Sequence, residues 1–101
     1  MAIEFKPNYA VHPGVLLKEE LDALHLTQKA AAEKAGVSKT VINEVIKGKR
    51  GISAELAVKL ESVVESPARF WLNAQSIYDE IMARATWPKS DLVPPVYLRI
   101  Q

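Results

Sequence analysis

A chain of 101 residues, 49% hydrophobic and 25% charged, has the composition of a soluble globular protein with one modest core. Without cysteine it forms neither disulfides nor thiolate metal sites, and no run of about 18 apolar residues is present to cross a membrane. The net charge of +1 hides a division: residues 27–50 hold six basic residues against Glu33 and Glu44, a local +4, which leaves seven basic and ten acidic residues, −3, elsewhere. A basic segment in an otherwise acidic chain suits a polyanionic partner. The opening residues lack the charged-then-apolar layout of a signal peptide, so a cytoplasmic location is expected.

In chain order, residues 1–12 hold one brief apolar alternation, Ile3 and Phe5, and read as an arm or short strand. Pro13 pre-sets φ at the first position of a helix whose buried face is Leu17, Leu21 and Leu24. His12 and His25 bracket this helix in capping and turn positions.

The segment Leu26–Gly48 then has the layout of a helix-turn-helix. Thr27 can cap its first helix and Ser38 its second, and Gly36 sits where the first must end in a left-handed turn. Ala31, Ala32 and Ala35 are small enough for the helices to approach closely. Val37, Ile42, Val45 and Ile46 give the second helix a buried stripe, with Ser38, Lys39, Thr40, Asn43, Glu44 and Lys47 facing outward. In such a unit the start of the second helix enters the DNA major groove. Lys39 and Thr40 are expected at base edges, with Asn43 or Glu44 one turn on, while Gln28, Ser38 and Lys47 hold phosphates.

A tight basic loop follows, Gly48-Lys49-Arg50-Gly51, whose Lys49 and Arg50 suit phosphate. Ser53 caps a fourth helix with Glu55 in its first turn and a core face of Leu56, Ala57, Leu60, Val63 and Val64. Ser66-Pro67 starts a fifth helix over Pro67–Ala85, expected to bury Phe70, Trp71, Ala74, Ile77, Tyr78 and Ile81. From Thr86 onward, Pro88, Pro94 and Pro95 break any helix, leaving an extended tail with Trp87 and residues 96–100, Val-Tyr-Leu-Arg-Ile. The expected organisation is one all-α domain over residues 1–101: arm 1–12, helical core 13–85, tail 86–101.

Beyond the spacing, the central segment resembles the phage-repressor-like (Xre/Cro) helix-turn-helix family, which implies a lambda-repressor-like five-helix bundle. The flanks resemble HigA-type antitoxins: His12-Pro13-Gly14 before a leucine-rich helix, Gly48-Lys49-Arg50-Gly51-Ile52-Ser53, and SPARFWLNAQ at residues 66–75 with Tyr78-Asp79 beyond. The resemblance covers about residues 12–82, and the tail carries no motif of the family. It implies an antitoxin that represses its own operon and neutralises an RNA-cleaving HigB-type toxin.

No nucleophile with a base, paired carboxylates, phosphate loop or metal-ligand spacing is present, so neither catalysis, metal nor cofactor is expected. The expected partners are double-stranded DNA carrying a palindromic operator, a second copy of the chain and the toxin, with no membrane. Two other readings compete: a stand-alone regulator without a toxin, and an adaptor whose third helix docks on protein. The charge division argues against the adaptor.

Overall fold

The computed structural model describes residues 10–86, which form five helices: α1 (Pro13–Ala23), α2 (Gln28–Ala35), α3 (Lys39–Ile46), α4 (Ala54–Leu60) and α5 (Ala68–Thr86). The expected helix count, order and all-α class hold. The expected arm with Ile3 and Phe5 and the tail with its prolines, Trp87 and residues 96–100 lie outside the described residues.

Local chemistry starts and stops these helices. His12 is extended and its Nδ1 accepts the Gly14 N–H at 2.9 Å, so an imidazole caps α1 where a serine or aspartate is more usual. Three helices end alike, with an amide two or three residues past the helix reaching back to a carbonyl five positions earlier. Leu26 N–H donates to Leu21 C=O at 2.9 Å, Val37 N–H to Ala32 C=O at 3.0 Å and Lys49 N–H to Glu44 C=O at 2.8 Å. Each closure needs a left-handed residue just before it. Glycine supplies it after α2 and α3, but after α1 the position belongs to His25, at φ 56°. A side chain there costs roughly 1 kcal/mol that glycine would not.

Leu17, Leu21, Ile42, Val45, Ala57, Leu60 and Trp71 are the centre of the core, and Ala31, Ala32 and Ala35 line the α2 side. α3 packs between α1 and α2, while α5 lies across α1 and α4. The tightest approach is backbone on backbone: a Cβ at Gly14 would overlap the Val45 carbonyl oxygen. The sequence HPG thus has a role for each letter: a cap, a pre-set φ, and the absence of a side chain where α1 meets the end of α3. Leu24, expected in the core, is 46% exposed, because α1 stops at Ala23 and the turn brings Leu26 against the core instead.

α5 departs most from expectation. Of the six residues assigned to its buried face only Trp71 is fully enclosed, while Phe70 and Ile77 remain 39% and 60% exposed. Ala74, Tyr78 and Ile81 are half-buried. The helix runs past a small body that can cover only one of its apolar stripes. Trp71 is worth about 5 kcal/mol of burial, which outweighs about 1–3 kcal/mol for an indole N–H that finds no acceptor among the described residues. Nor does Ser66 act as the expected local cap. Its hydroxyl donates to Glu20 Oε1 at 2.6 Å, and Glu61 Oε2 accepts the Ala68 N–H at 2.7 Å, placing a carboxylate at the positive end of α5. Val63 and Val64 are buried as expected but in the turn beyond α4.

His12 makes the fold sensitive to acid. The ring can accept from Gly14 only while Nδ1 is unprotonated. Burial lowers its pKa below the usual 6.5, against the opposing pull of the Asp79 carboxylate. The unfolded chain therefore takes up this proton at a higher pH than the folded one. Its contribution to stability is complete above pH 6.5 and declines as pH falls below it. Urea denaturation midpoints should drop over that range in the native chain and stay flatter in His12→Asn, which keeps a capping acceptor but cannot titrate.

Candidate nucleic-acid interface

α2, the turn at Gly36 and α3 form a closed local unit. Thr27 Oγ1 accepts the Ala30 N–H at 3.0 Å and Ser38 Oγ the Val41 N–H at 3.2 Å, so each helix is capped from inside the motif. Gly36 stands at φ 72°, ψ 34° with nothing within 4 Å of a Cβ, so its requirement is conformational and not steric. Ile42 and Val45 are wholly buried, which turns the opposite side of α3 to solvent.

The structure puts the nine sequence-predicted residues on three connected pieces. Ser38, Lys39, Thr40 and Lys47 are exposed on α3 and at its two ends, and Lys49 and Arg50 are exposed in the following loop. Gln28, Asn43 and Glu44 are half-buried where these pieces meet. Asn43 Nδ2 donates to Gln28 Oε1 at 3.0 Å, bridging the start of α2 to the middle of α3. With its oxygen engaged, Gln28 still has its amide hydrogens to donate, the kind of group a phosphate requires. Asn43 keeps one N–H and its oxygen, the donor–acceptor pair that matches adenine in the major groove. The Ser38 hydroxyl accepts from the backbone and still has its proton to donate.

Glu44 and Arg50 occupy one another: Oε1 accepts from a guanidinium NH2 at 3.0 Å, with both side chains partly exposed. Arg50 is therefore drawn toward α3. No ion pair among the described residues engages Lys39, Lys47 or Lys49. This gives a polar surface whose four cations outnumber its one carboxylate, able to neutralise phosphates and to present hydrogen-bonding groups between them.

Gln75, the last residue of SPARFWLNAQ, ties α5 to the loop after α3. From α5 its Oε1 accepts the Ile52 N–H at 2.7 Å, and its Nε2 donates to Asp79 Oδ1 at 2.8 Å. Its position within SPARFWLNAQ was the only signal available; the bond itself spans 23 residues.

A helix-turn-helix family profile matches residues 17–71. Virulence-associated protein A' of Dichelobacter nodosus is 44% identical over 67% of this chain, a match that spans 60% of that protein's length. Antitoxin HigA-1 of Vibrio cholerae is 30% identical over 90% of this chain and 88% of its own. Among solved structures, the antitoxin HigA of Pseudomonas aeruginosa with the higBA promoter superposes with a TM-score of 0.76. It is 31% identical, over 86% of this chain and 99% of that one.

The Glu44–Arg50 pair generates a test of that surface. A partly exposed pair contributes about 0–1 kcal/mol, so Glu44→Ala should leave thermal stability nearly unchanged. Removing one negative charge about 6 Å from a phosphate in water should tighten binding of a random-sequence duplex about threefold. Fluorescence anisotropy at low salt checks this, and weaker or unchanged binding would place the DNA elsewhere.

Proposed function

The chain belongs to the helix-turn-helix family, in the branch that holds the HigA antitoxins, and from that premise we propose a sequence-specific repressor that is also the antitoxin of a HigBA-type toxin–antitoxin module. The observation that carries the DNA reading is the first turn of α3. Ser38, Lys39 and Thr40 are exposed there while Ile42 and Val45 anchor the same eight-residue helix from behind. Lys39 and Thr40 read base edges, with Asn43 or Glu44 one turn on; Gln28, Ser38, Lys47, Lys49 and Arg50 hold the backbone. The proposal contains no catalytic step.

One such helix reads too few base pairs for useful specificity. A homodimer presents two, about 34 Å apart on a palindrome. Phe70, Ala74, Ile77 and Ile81 lie at successive helical spacings on one stripe of α5 and none is fully buried, which supports that stripe as the place where copies meet. On this reading Ile77→Asp gives a monomer by light scattering at tens of micromolar and footprints only a half-site.

The antitoxin role rests on the likeness to the HigA proteins. The acidic residues outside the motif agree with a basic partner. Of these, Glu19 and Glu65 are exposed, whereas Glu20, Asp22, Glu61, Asp79 and Glu80 also hold bonds within the chain. Two measurements test the whole. In binding titrations with the DNA upstream of its gene, Lys39→Ala should lose about 1–3 kcal/mol of discrimination against random DNA. Lys49→Ala should weaken both alike and lower the salt slope by about 0.9. In co-expression, the neighbouring open reading frame should be toxic alone and silenced by this chain. A harmless neighbour would leave a repressor without a toxin, and equal affinity for upstream and random DNA would remove the repressor too.

A further inference from the structure

We propose that Gln75 is a positioning residue for DNA binding: from α5 it fixes the loop that carries Lys49 and Arg50 to the phosphate backbone. The inference deepens the DNA-binding reading above and rests on it.

The loop between α3 and α4 is held at both ends. At the near end the Lys49 amide closes the turn after α3 on the Glu44 carbonyl. At the far end the Ile52 amide donates to Gln75 Oε1 at 2.7 Å, while the Ile52 side chain enters the core. Between these ties lie Lys49, Arg50 and Gly51, all exposed. Nothing else among the described residues takes the Ile52 N–H. The Gln75 amide also rests directly on the loop: a Cβ at Gly51 would stand 3.0 Å from its Cδ, Oε1 and Nε2. Gly51 is thus the bare spot that lets the amide lie against the main chain. A reversed amide would aim its NH2 group at the Ile52 N–H, and Asp79 opposes that by accepting from Nε2 at 2.8 Å. Asp79, Gln75 and Ile52 form a relay from an exposed face of α5 to the basic loop. α5 itself carries none of the proposed DNA contacts.

A residue that only stabilised the fold would move the melting temperature and leave the folded protein's DNA binding alone. A residue that aims cations at phosphates changes the salt dependence. We expect Gln75→Ala in the full chain, assayed well below its melting temperature, to bind both upstream and random duplexes about fivefold more weakly at 0.15 M salt. Its log–log salt slope should fall by about 0.9, the share of one phosphate contact. Gln75→Glu places two carboxylates together and should show the same loss. Adding Asp79→Asn to it restores a donor facing an acceptor and should recover wild-type affinity and slope. That swap decides the matter if the alanine variant fails to fold. A wild-type slope in Gln75→Ala, or no recovery in the double variant, overturns the inference while wild-type binding leaves the DNA-binding reading intact. Wild-type protein that binds neither duplex removes that reading, and this one with it.

Discussion

An eight-residue helix cannot hold itself. Nucleating the first turn costs more than so few hydrogen bonds return, and isolated helices shorter than about 12–15 residues are marginal in water. α3 has that length, and one of its sides must stay bare. Beyond its own Ser38 cap, what keeps it helical and aimed has therefore to come from behind, and the rest of the fold is arranged around that requirement. Ile42 and Val45 insert into the core, α2 approaches on a surface of alanines, and α1 approaches so closely at Gly14 that only hydrogen fits against the Val45 carbonyl. Main chain against main chain is stiffer than any side-chain contact, because neither partner has a rotamer to change.

The same demand explains what α5 does. Trp71 fills the centre of the bundle, and its neighbours on one flank, Gln75 and Tyr78, tie α5 to the loop after α3 and to the start of α1. His12 sits edge-on to Tyr78 with ring centroids 4.8 Å apart, which brings the cap of α1 against α5. Gln75 holds the loop after α3. Glu61 closes the turn from which α5 starts by accepting the Ala68 N–H, and Ser66 ties that turn to Glu20 of α1. A helix that serves as brace along one flank has its other apolar stripe left over, and Phe70 and Ile77 are on it.

What could be read in the sequence follows the range of the interactions. The caps Thr27, Ser38 and Ser53 bond amides three residues on, and Gly36 and Gly48 serve turns made of their own neighbours, so sequence pattern finds them. The contacts that pattern misses join distant residues: Ser66 to Glu20, Gln75 to Ile52, Gly14 to Val45. Ser66-Pro67 has a strong local start signal, yet a carboxylate 46 residues away takes its hydroxyl. Leu24, Phe70 and Ile77 stay exposed for a related reason: periodicity says which residues share a face but not whether another element arrives to cover it. His25 reads as a turn residue, but its left-handed φ of 56° carries no sequence signal, since the position asks for glycine and the chain offers histidine. Among the candidate contact residues, the Gln28–Asn43 and Glu44–Arg50 pairings depend on side-chain geometry that spacing does not carry.

The two sides of α5 have a consequence for regulation. The stripe with Phe70 and Ile77 and the amide of Gln75 belong to one rigid 19-residue helix, so they cannot be displaced independently over short distances. A partner that covers the open stripe and favours a particular seat for α5 thereby favours a particular seat for the basic loop. By thermodynamic reciprocity, DNA that favours that same seat strengthens the partner's binding by the same factor. The sign of the coupling depends on whether the two preferences agree, and its size on how far each seat differs in free energy. A partner with no preference between seats would leave DNA affinity unaltered however tightly it bound. Coupling in this fold therefore does not require the partner to reach α3: it requires only that α5 serve as both brace and docking face.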